Sequence, residues 1–356
     1  MPQYSGFGAE RGVDGPLAAG GAGPAHNSQV LALRDHGGNL DAAIASFGGQ
    51  FSDWVDLSTG INRVPYPIPD LPCSIWQRLP TRSDFAKLSA AARGVYGTDA
   101  AVLAVAGAQS AIQLIPRLLP QGRARVLGPT YNEHRAALVA QGWAVNEVAR
   151  LEELAGADLA IVVNPNNPDG RTHAKEALLE LATRVGRLVI DESFIDATPE
   201  LSLAPLVDDQ RLIVLRSFGK FYGLAGARLG FVIGRGDDIR RLAELAGPWN
   251  VSGAAIEIGR IALADTAWVA ATASRLQSDV MRMDKLAKQA SFKLVGGTHL
   301  FRLYDCNDAS ATQRRLAKGG VWSRIFPWSQ SLVRLGLPGC EAEWRQFQAA
   351  LALESR

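Results

Sequence analysis

Cysteine and methionine are scarce in this chain of 356 residues, at three each, and histidine occurs only five times. Cys73, Cys306 and Cys340 have neither metal-ligand spacing nor an even count, which excludes a disulfide framework or a thiolate metal centre as the organising device. Free thiols in a reducing compartment, and no metal, are expected. No apolar run approaches the ~18 residues of a membrane span. Neither sign of charge is in excess: 37 Lys and Arg against 35 Asp and Glu leave +2. Neither a nucleic acid nor a membrane surface is therefore an expected partner. Internal repeats are missing too. Residues 1–28 lack the apolar segment of a signal peptide and are rich in Gly, Ala and Pro, so a flexible arm on a cytoplasmic protein is expected.

What is present is an ordinary globular composition, 47% hydrophobic and 20% charged, long enough for two domains or a large one with an appended lobe. From about residue 100, short apolar runs alternate with amphipathic segments. Strands are expected at Ala101–Ala106, Ala124–Gly128, Val145–Val148, Leu159–Asn164, Arg187–Asp191, Leu212–Ser217 and Leu229–Gly234. Helices are expected between them near Ala111–Leu119, Asn132–Gln141 and Ala174–Val185. Buried strands alternating with helices indicate an α/β domain with a mostly parallel sheet covered on both faces. Beyond residue 250 the character changes: Val251–Ala290 is strongly helical, with Thr266–Gln289 a single long helix. Strands at Leu300–Tyr304, Val321–Phe326 and Ser331–Gly336 and helices near Ser310–Lys318 and Glu341–Glu354 then make a small α+β lobe. The expected division is an arm (1–28), a segment joining the small lobe (29–60), a large domain (61–250), and the long helix with the small C-terminal domain (251–356).

In an open parallel sheet, ligands gather at the carboxyl ends of the strands, and the chemically suggestive residues all fall there. Gly107-Ala-Gln-Ser110 leaves a strand and opens a helix, so the Ala108 and Gln109 amides can receive a phosphate; the same residues also make a plain strand-to-helix turn. Asn164-Pro-Asn-Asn167-Pro-Asp-Gly170 is a turn by composition, and one that offers amide donors. Asp191 ends an apolar run, and a carboxylate there needs a partner, either nearby backbone or a cationic ring nitrogen. Ser217-Phe-Gly-Lys220, running on to Arg228, brings an amine, a hydroxyl and a guanidinium into one glycine-rich turn. A lysine can form a Schiff base with an aldehyde, and Ser and Arg are natural phosphate ligands.

The order Gly107 loop, Asn167, Asp191, Lys220, Arg228 resembles the fold-type I pyridoxal-phosphate family, the histidinol-phosphate aminotransferase branch in particular, over about residues 32–350. The resemblance implies a seven-stranded, mostly parallel sheet between helices, a small α+β domain and pyridoxal 5′-phosphate as cofactor. It implies that Lys220 carries the cofactor and later moves protons at the substrate Cα. Asp191 would bind the pyridine nitrogen, Asn167 the phenolate oxygen, and Tyr131 would stack on the ring. Ser217, Arg228 and the Ala108 and Gln109 amides would hold the cofactor phosphate, and Arg334 the substrate α-carboxylate. It further implies a homodimer in which an aromatic residue of the partner, Tyr66 being the candidate, reaches the cofactor phosphate.

Two features are similar to the L-threonine-O-3-phosphate decarboxylases of that family. Asp35-His36-Gly-Gly-Asn-Leu40 and Asp56-Leu-Ser-Thr-Gly-Ile-Asn62 match the start of those enzymes, where this His and Asn lie near the substrate phosphate; on sequence alone His36 also reads as a surface residue. Phe194, three residues after Asp191, stands where many aminotransferases have Tyr. Arg324 is a further candidate phosphate ligand, or equally a solvated side chain of the small lobe. The departures are Asp169 in place of the aminotransferases' Thr, and Asn62-Arg-Val-Pro-Tyr-Pro67 in place of Asn-Pro-Leu-Gly. Decarboxylation of a phosphorylated amino acid is thus the leading expectation. Transamination of histidinol phosphate or an aromatic amino acid is the runner-up. A non-catalytic protein of this fold is the third reading, disfavoured because Lys220 and Asp191 are both present.

Overall fold

The computed structural model describes residues 36–207 and 211–353. The chain divides into a unit of residues 1–36 and a unit of residues 37–356, and the architecture that follows is that of the second. The expected arm, 1–28, lies outside the described residues.

A short strand, β1 (Val55–Asp56), precedes the main sheet. That sheet comprises β2 (Ala101–Val105), β3 (Arg123–Leu127), β4 (Ala144–Val148), β5 (Leu159–Val163), β6 (Arg187–Asp191), β7 (Leu212–Ser217) and β8 (Gly230–Gly234), in the order β2-β8-β7-β6-β5-β3-β4. All pairings are parallel except those of β8 with β2 and β7. Burial explains the composition: every residue of β5, Leu-Ala-Ile-Val-Val, is buried, as expected for a central strand covered by helices on both faces. The mostly parallel seven-stranded α/β sheet is as expected.

The remaining strands are β9 (Lys293–Gly297), β10 (Phe301–Asp305), β11 (Val321–Trp322), β12 (Arg324–Phe326) and β13 (Ser329–Gly336). They form an antiparallel sheet in the order β12-β13-β10-β9, plus a parallel pair of β1 with β11. Three details differ from the sequence reading. The expected strand Val321–Phe326 is broken at buried Ser323, so its halves join different sheets. β9 was not anticipated, because its Lys-Leu-Val-Gly-Gly sequence is largely exposed at a sheet edge and has no alternating pattern. The first helix after β2 begins at Ala108 rather than Ala111 and gives way at Leu114 to a 3-10 turn containing Pro116, which cannot donate within a helix. The long helix spans Thr266–Gln289, capped by Asp265, whose side chain accepts from the Trp268 amide.

Candidate active site

The carboxyl ends of β5, β6 and β7 converge on one cleft lined by, among others, Gly107, Tyr131, Asn167, Asp191, Lys220 and Arg228. Lys220 lies on a one-turn helix, Phe218–Phe221, that follows β7 directly. Its Nζ stands 5.6 Å from the centre of the Phe194 ring. Burial brings the amine down to about 8, the Arg334 and Arg228 cations push the same way, and Asp191 opposes them. A lysine so placed is substantially neutral at mildly alkaline pH and therefore nucleophilic.

Asp191 closes β6 and is only 3% exposed. Its Oδ2 is 2.9 Å from His134 Nε2, and with the carboxylate ionised that nitrogen must carry the hydrogen. Its Oδ1 accepts from the Ser193 amide at 2.9 Å and from the Ser193 hydroxyl. Burial alone would raise the carboxyl; the bonds from His134 and Ser193 outweigh it and hold Asp191 below the ordinary range. His134 was not anticipated. Its only signal is a place three residues after Tyr131 on the buried face of the helix Asn132–Ala140, which ordinary core packing imitates.

At one end of the cleft, Gly107 adopts φ +79°, and a Cβ there would lie 2.8 Å from Arg228 Nη2. A side chain at 107 would thus displace the guanidinium. The helix that begins at Ala108 has no side-chain cap, so its first amides lack a side-chain acceptor, and Ala108 and Gln109 both line the cleft. Gln109 Nε2 donates to Glu133 at 2.8 Å, and the Tyr131 hydroxyl donates to Gln109 Oε1 at 3.2 Å, which ties the aromatic ring to the same corner. Arg228 Nη1 donates to the Ala225 carbonyl at 3.1 Å, and Ser217 ends β7 nearby.

The antiparallel sheet adjoins the cleft through Asn167. Arg334, 6% exposed, donates through Nη1 to Asn167 Oδ1 and through Nη2 to the Ser58 carbonyl at 2.6 Å. The Asn167 oxygen being thus occupied, its NH2 is the end left to donate. Arg324 pairs directly across from Arg334 between β12 and β13, so both guanidinium groups rise from one face of the strand pair. Burial, reinforced by Arg324, brings Arg334 down to about 9, against the pull of Asp56. Two neighbouring cations of this kind favour an anion between them. Phe194 is buried with its ring edge-on to Phe301, centroids 5.0 Å apart.

Two expected residues have partners within the chain. Asn62, expected at the substrate phosphate, is 3% exposed. Its Nδ2 donates to the Phe221 carbonyl at 2.9 Å, and its Oδ1 accepts from Val64 N at 3.1 Å and Arg275 Nη2 at 2.7 Å. The carboxamide is thus held by three protein partners. Tyr66, expected to reach a partner's cofactor, is buried within this chain, its hydroxyl donating to Asp265 at 3.1 Å and its ring 5.1 Å from that of Trp268. Asp169 braces its own turn, accepting from Asn166 Nδ2 at 2.8 Å and Arg171 N at 3.0 Å. His36 is the last residue of the first unit.

The donor set fits pyridoxal phosphate: an amine lowered toward neutrality, an ionised carboxylate behind it, an amide NH2, and a glycine-lined corner with a guanidinium and open helix amides. The sequence profile of the aminotransferase class I and II family matches residues 75–344, and the chain belongs to that family. It is 41% identical over 326 residues to the threonine-phosphate decarboxylase of Pseudomonas aeruginosa, covering 90% of this chain and 97% of that one. The threonine-phosphate decarboxylase of a Sinorhizobium species is likewise 41% identical over 326 residues, covering 89% and 97%. Among solved structures, the histidinol-phosphate aminotransferase of Sinorhizobium meliloti in complex with pyridoxal 5′-phosphate superposes with a TM-score of 0.74 at 20% identity, covering 93% and 97%. That likeness concerns the fold.

Proposed function

We propose that the chain is a pyridoxal-phosphate-dependent decarboxylase of L-threonine O-3-phosphate, yielding carbon dioxide and (R)-1-amino-2-propanol O-2-phosphate, the aminopropanol arm of cobalamin. The observation that carries this reading is the Arg324–Arg334 pair. One substrate with two anionic groups, a carboxylate and a phosphate, meets two cations on one face, one of them bonded to Asn167. The two decarboxylases at 41% identity over nearly the whole chain support the same substrate.

The cofactor, when bound, supplies an electron sink for a bond broken at the substrate Cα. Lys220 would attach it, Asp191 would keep its ring nitrogen protonated, and Asn167 would donate to its ring oxygen. Ser217, Arg228 and the Ala108 and Gln109 amides hold its phosphate, with Tyr131 against the ring. Which bond at Cα breaks would be set by how this chain's residues orient the substrate. Arg334 would grip the carboxylate while Arg324 takes the substrate phosphate, and this two-point hold would select the Cα–carboxylate bond. Carbon dioxide departs without its bonding pair, and Lys220 or a water returns a proton to Cα. The protein functions in the cytoplasm as a homodimer.

The test is incubation of pure holoenzyme with L-threonine O-3-phosphate, with carbon dioxide and keto acid measured in parallel. Carbon dioxide without keto acid is expected. Keto acid with no carbon dioxide would replace this reading with transamination. Lys220→Ala should abolish both the visible absorbance of the attached cofactor and turnover.

A further inference from the structure

A one-turn helix ends in carbonyl groups that have no partner inside it, and Lys220 sits on such a helix. Beside the Gly223 amide, 3.3 Å from the Lys220 carbonyl, the partners come from the segment 62–66. Asn62 N donates to the Lys220 carbonyl at 2.9 Å, Asn62 Nδ2 to the Phe221 carbonyl at 2.9 Å, and Tyr66 N to the Tyr222 carbonyl at 2.8 Å. The contact is close: a Cβ on Gly223, which has φ +68°, would lie 2.5 Å from the Asn62 carbonyl oxygen.

The far side of the Asn62 carboxamide is gripped by the long helix. Arg275 Nη2 donates to Asn62 Oδ1 at 2.7 Å, while Nη1 donates to Asp279 at 2.6 Å one turn further on. Rotating the amide would set its NH2 against the Arg275 donor and its oxygen against the Phe221 carbonyl, so only one orientation is tolerated. The same helix packs against β9 and β10, and β10 pairs with β13, which carries Arg334. A continuous path of contacts therefore runs from the substrate-facing sheet, through Arg275 and Asn62, to the peptide of Lys220.

We infer that Asn62 and Arg275 are positioning residues for Lys220, fixing the end of its helix and so the point from which Nζ acts. This rests on Lys220 carrying the cofactor and is independent of which bond at Cα breaks.

The experiment uses purified holoenzyme of the wild type, Arg275→Met, Arg275→Lys and Asn62→Asp. Arg282→Met serves as control, removing a pair with Glu341 from the same helix but away from the turn. The pH titration of the visible absorbance of the Lys220-bound cofactor is the main readout, with steady-state kinetics beside it. Arg275→Met and Asn62→Asp are expected to displace the titration midpoint and to lower kcat about tenfold to a hundredfold with KM within about threefold. Arg275→Lys should recover most of both, and Arg282→Met should leave both as in the wild type. Wild-type midpoints in Arg275→Met and Asn62→Asp, or an equal displacement in Arg282→Met, would overturn the inference. Should Arg275→Met fail to fold, Asn62→Asp decides, since it keeps the contact with Arg275 while removing the donor to Phe221. A chain that proves to transaminate sinks the proposed decarboxylation and leaves this titration readable.

Discussion

Arg334 donates to the carboxamide oxygen of Asn167, so the residue proposed for the substrate carboxylate and the residue proposed for the cofactor's ring oxygen form one hydrogen-bonded unit. Replacing Arg334 by Lys keeps the charge but cannot reproduce the two-armed hold on Asn167 and Ser58. Losing a buried charge-assisted bond costs about 1.5–3 kcal/mol. Arg334→Lys should therefore lower kcat/KM by roughly ten- to a hundredfold, measured by steady-state kinetics with threonine phosphate.

Arg324, across from Arg334, addresses the phosphate in the proposed reaction. Arg324→Ala is expected to raise KM for threonine phosphate at least about tenfold, the worth of one charge-assisted contact. Turnover of unphosphorylated threonine, which has no phosphate for Arg324 to hold, should lose little. An equal loss for both compounds would count against the assignment.

His134, together with Ser193, keeps Asp191 ionised despite its burial. His134→Phe would leave that carboxylate short of a donor, at about 1–3 kcal/mol of stability. Denaturant unfolding should register this loss, and the carboxyl should then titrate higher, so that the cofactor's ring nitrogen is less firmly protonated at neutral pH.

Lys220 gives a signed pH dependence. In the folded chain without cofactor its amine is lowered from 10.5 to about 8, so the unfolded state holds the proton more tightly. The resulting destabilisation, about 3 kcal/mol, is fully present below pH 8 and disappears as pH rises through 10.5. Lys220→Met apoprotein should thus exceed wild-type apoprotein in stability at pH 7. Unfolding curves should show that gap shrinking steadily toward pH 10; a gap that is constant with pH would refute the lowered amine.

The residues that could be read from the sequence share a property: each closes a strand or opens a helix inside a short, compositionally marked segment. Asp191, Lys220 and the Gly107 turn are of this kind, and the hydrophobic strands before them place them on the same edge of the sheet. Arg334 was legible only through resemblance, since one arginine in a strand carries no local signal. His134 and Arg275 were illegible, because a helix residue on a buried face looks the same whether it packs or holds a functional group. Asn62 was legible as notable, but its place in the hydrogen-bond network was not. Its motif marks a place near Lys220, whereas its hydrogen bonds, made to residues far along the chain, decide what it does there.

The single reversed strand, β8, has a mechanical implication. Because β8 turns back beside β7 with Ser217 opposite Gly230, the connection bearing Lys220 and Arg228 is stitched to the sheet at both ends. It cannot swing outward as a lid, so the cofactor side of the cleft behaves as a fixed anvil. Any closing over substrate falls to the strands bearing Arg324 and Arg334, and grafting new substrate preferences onto this scaffold should begin with those strands.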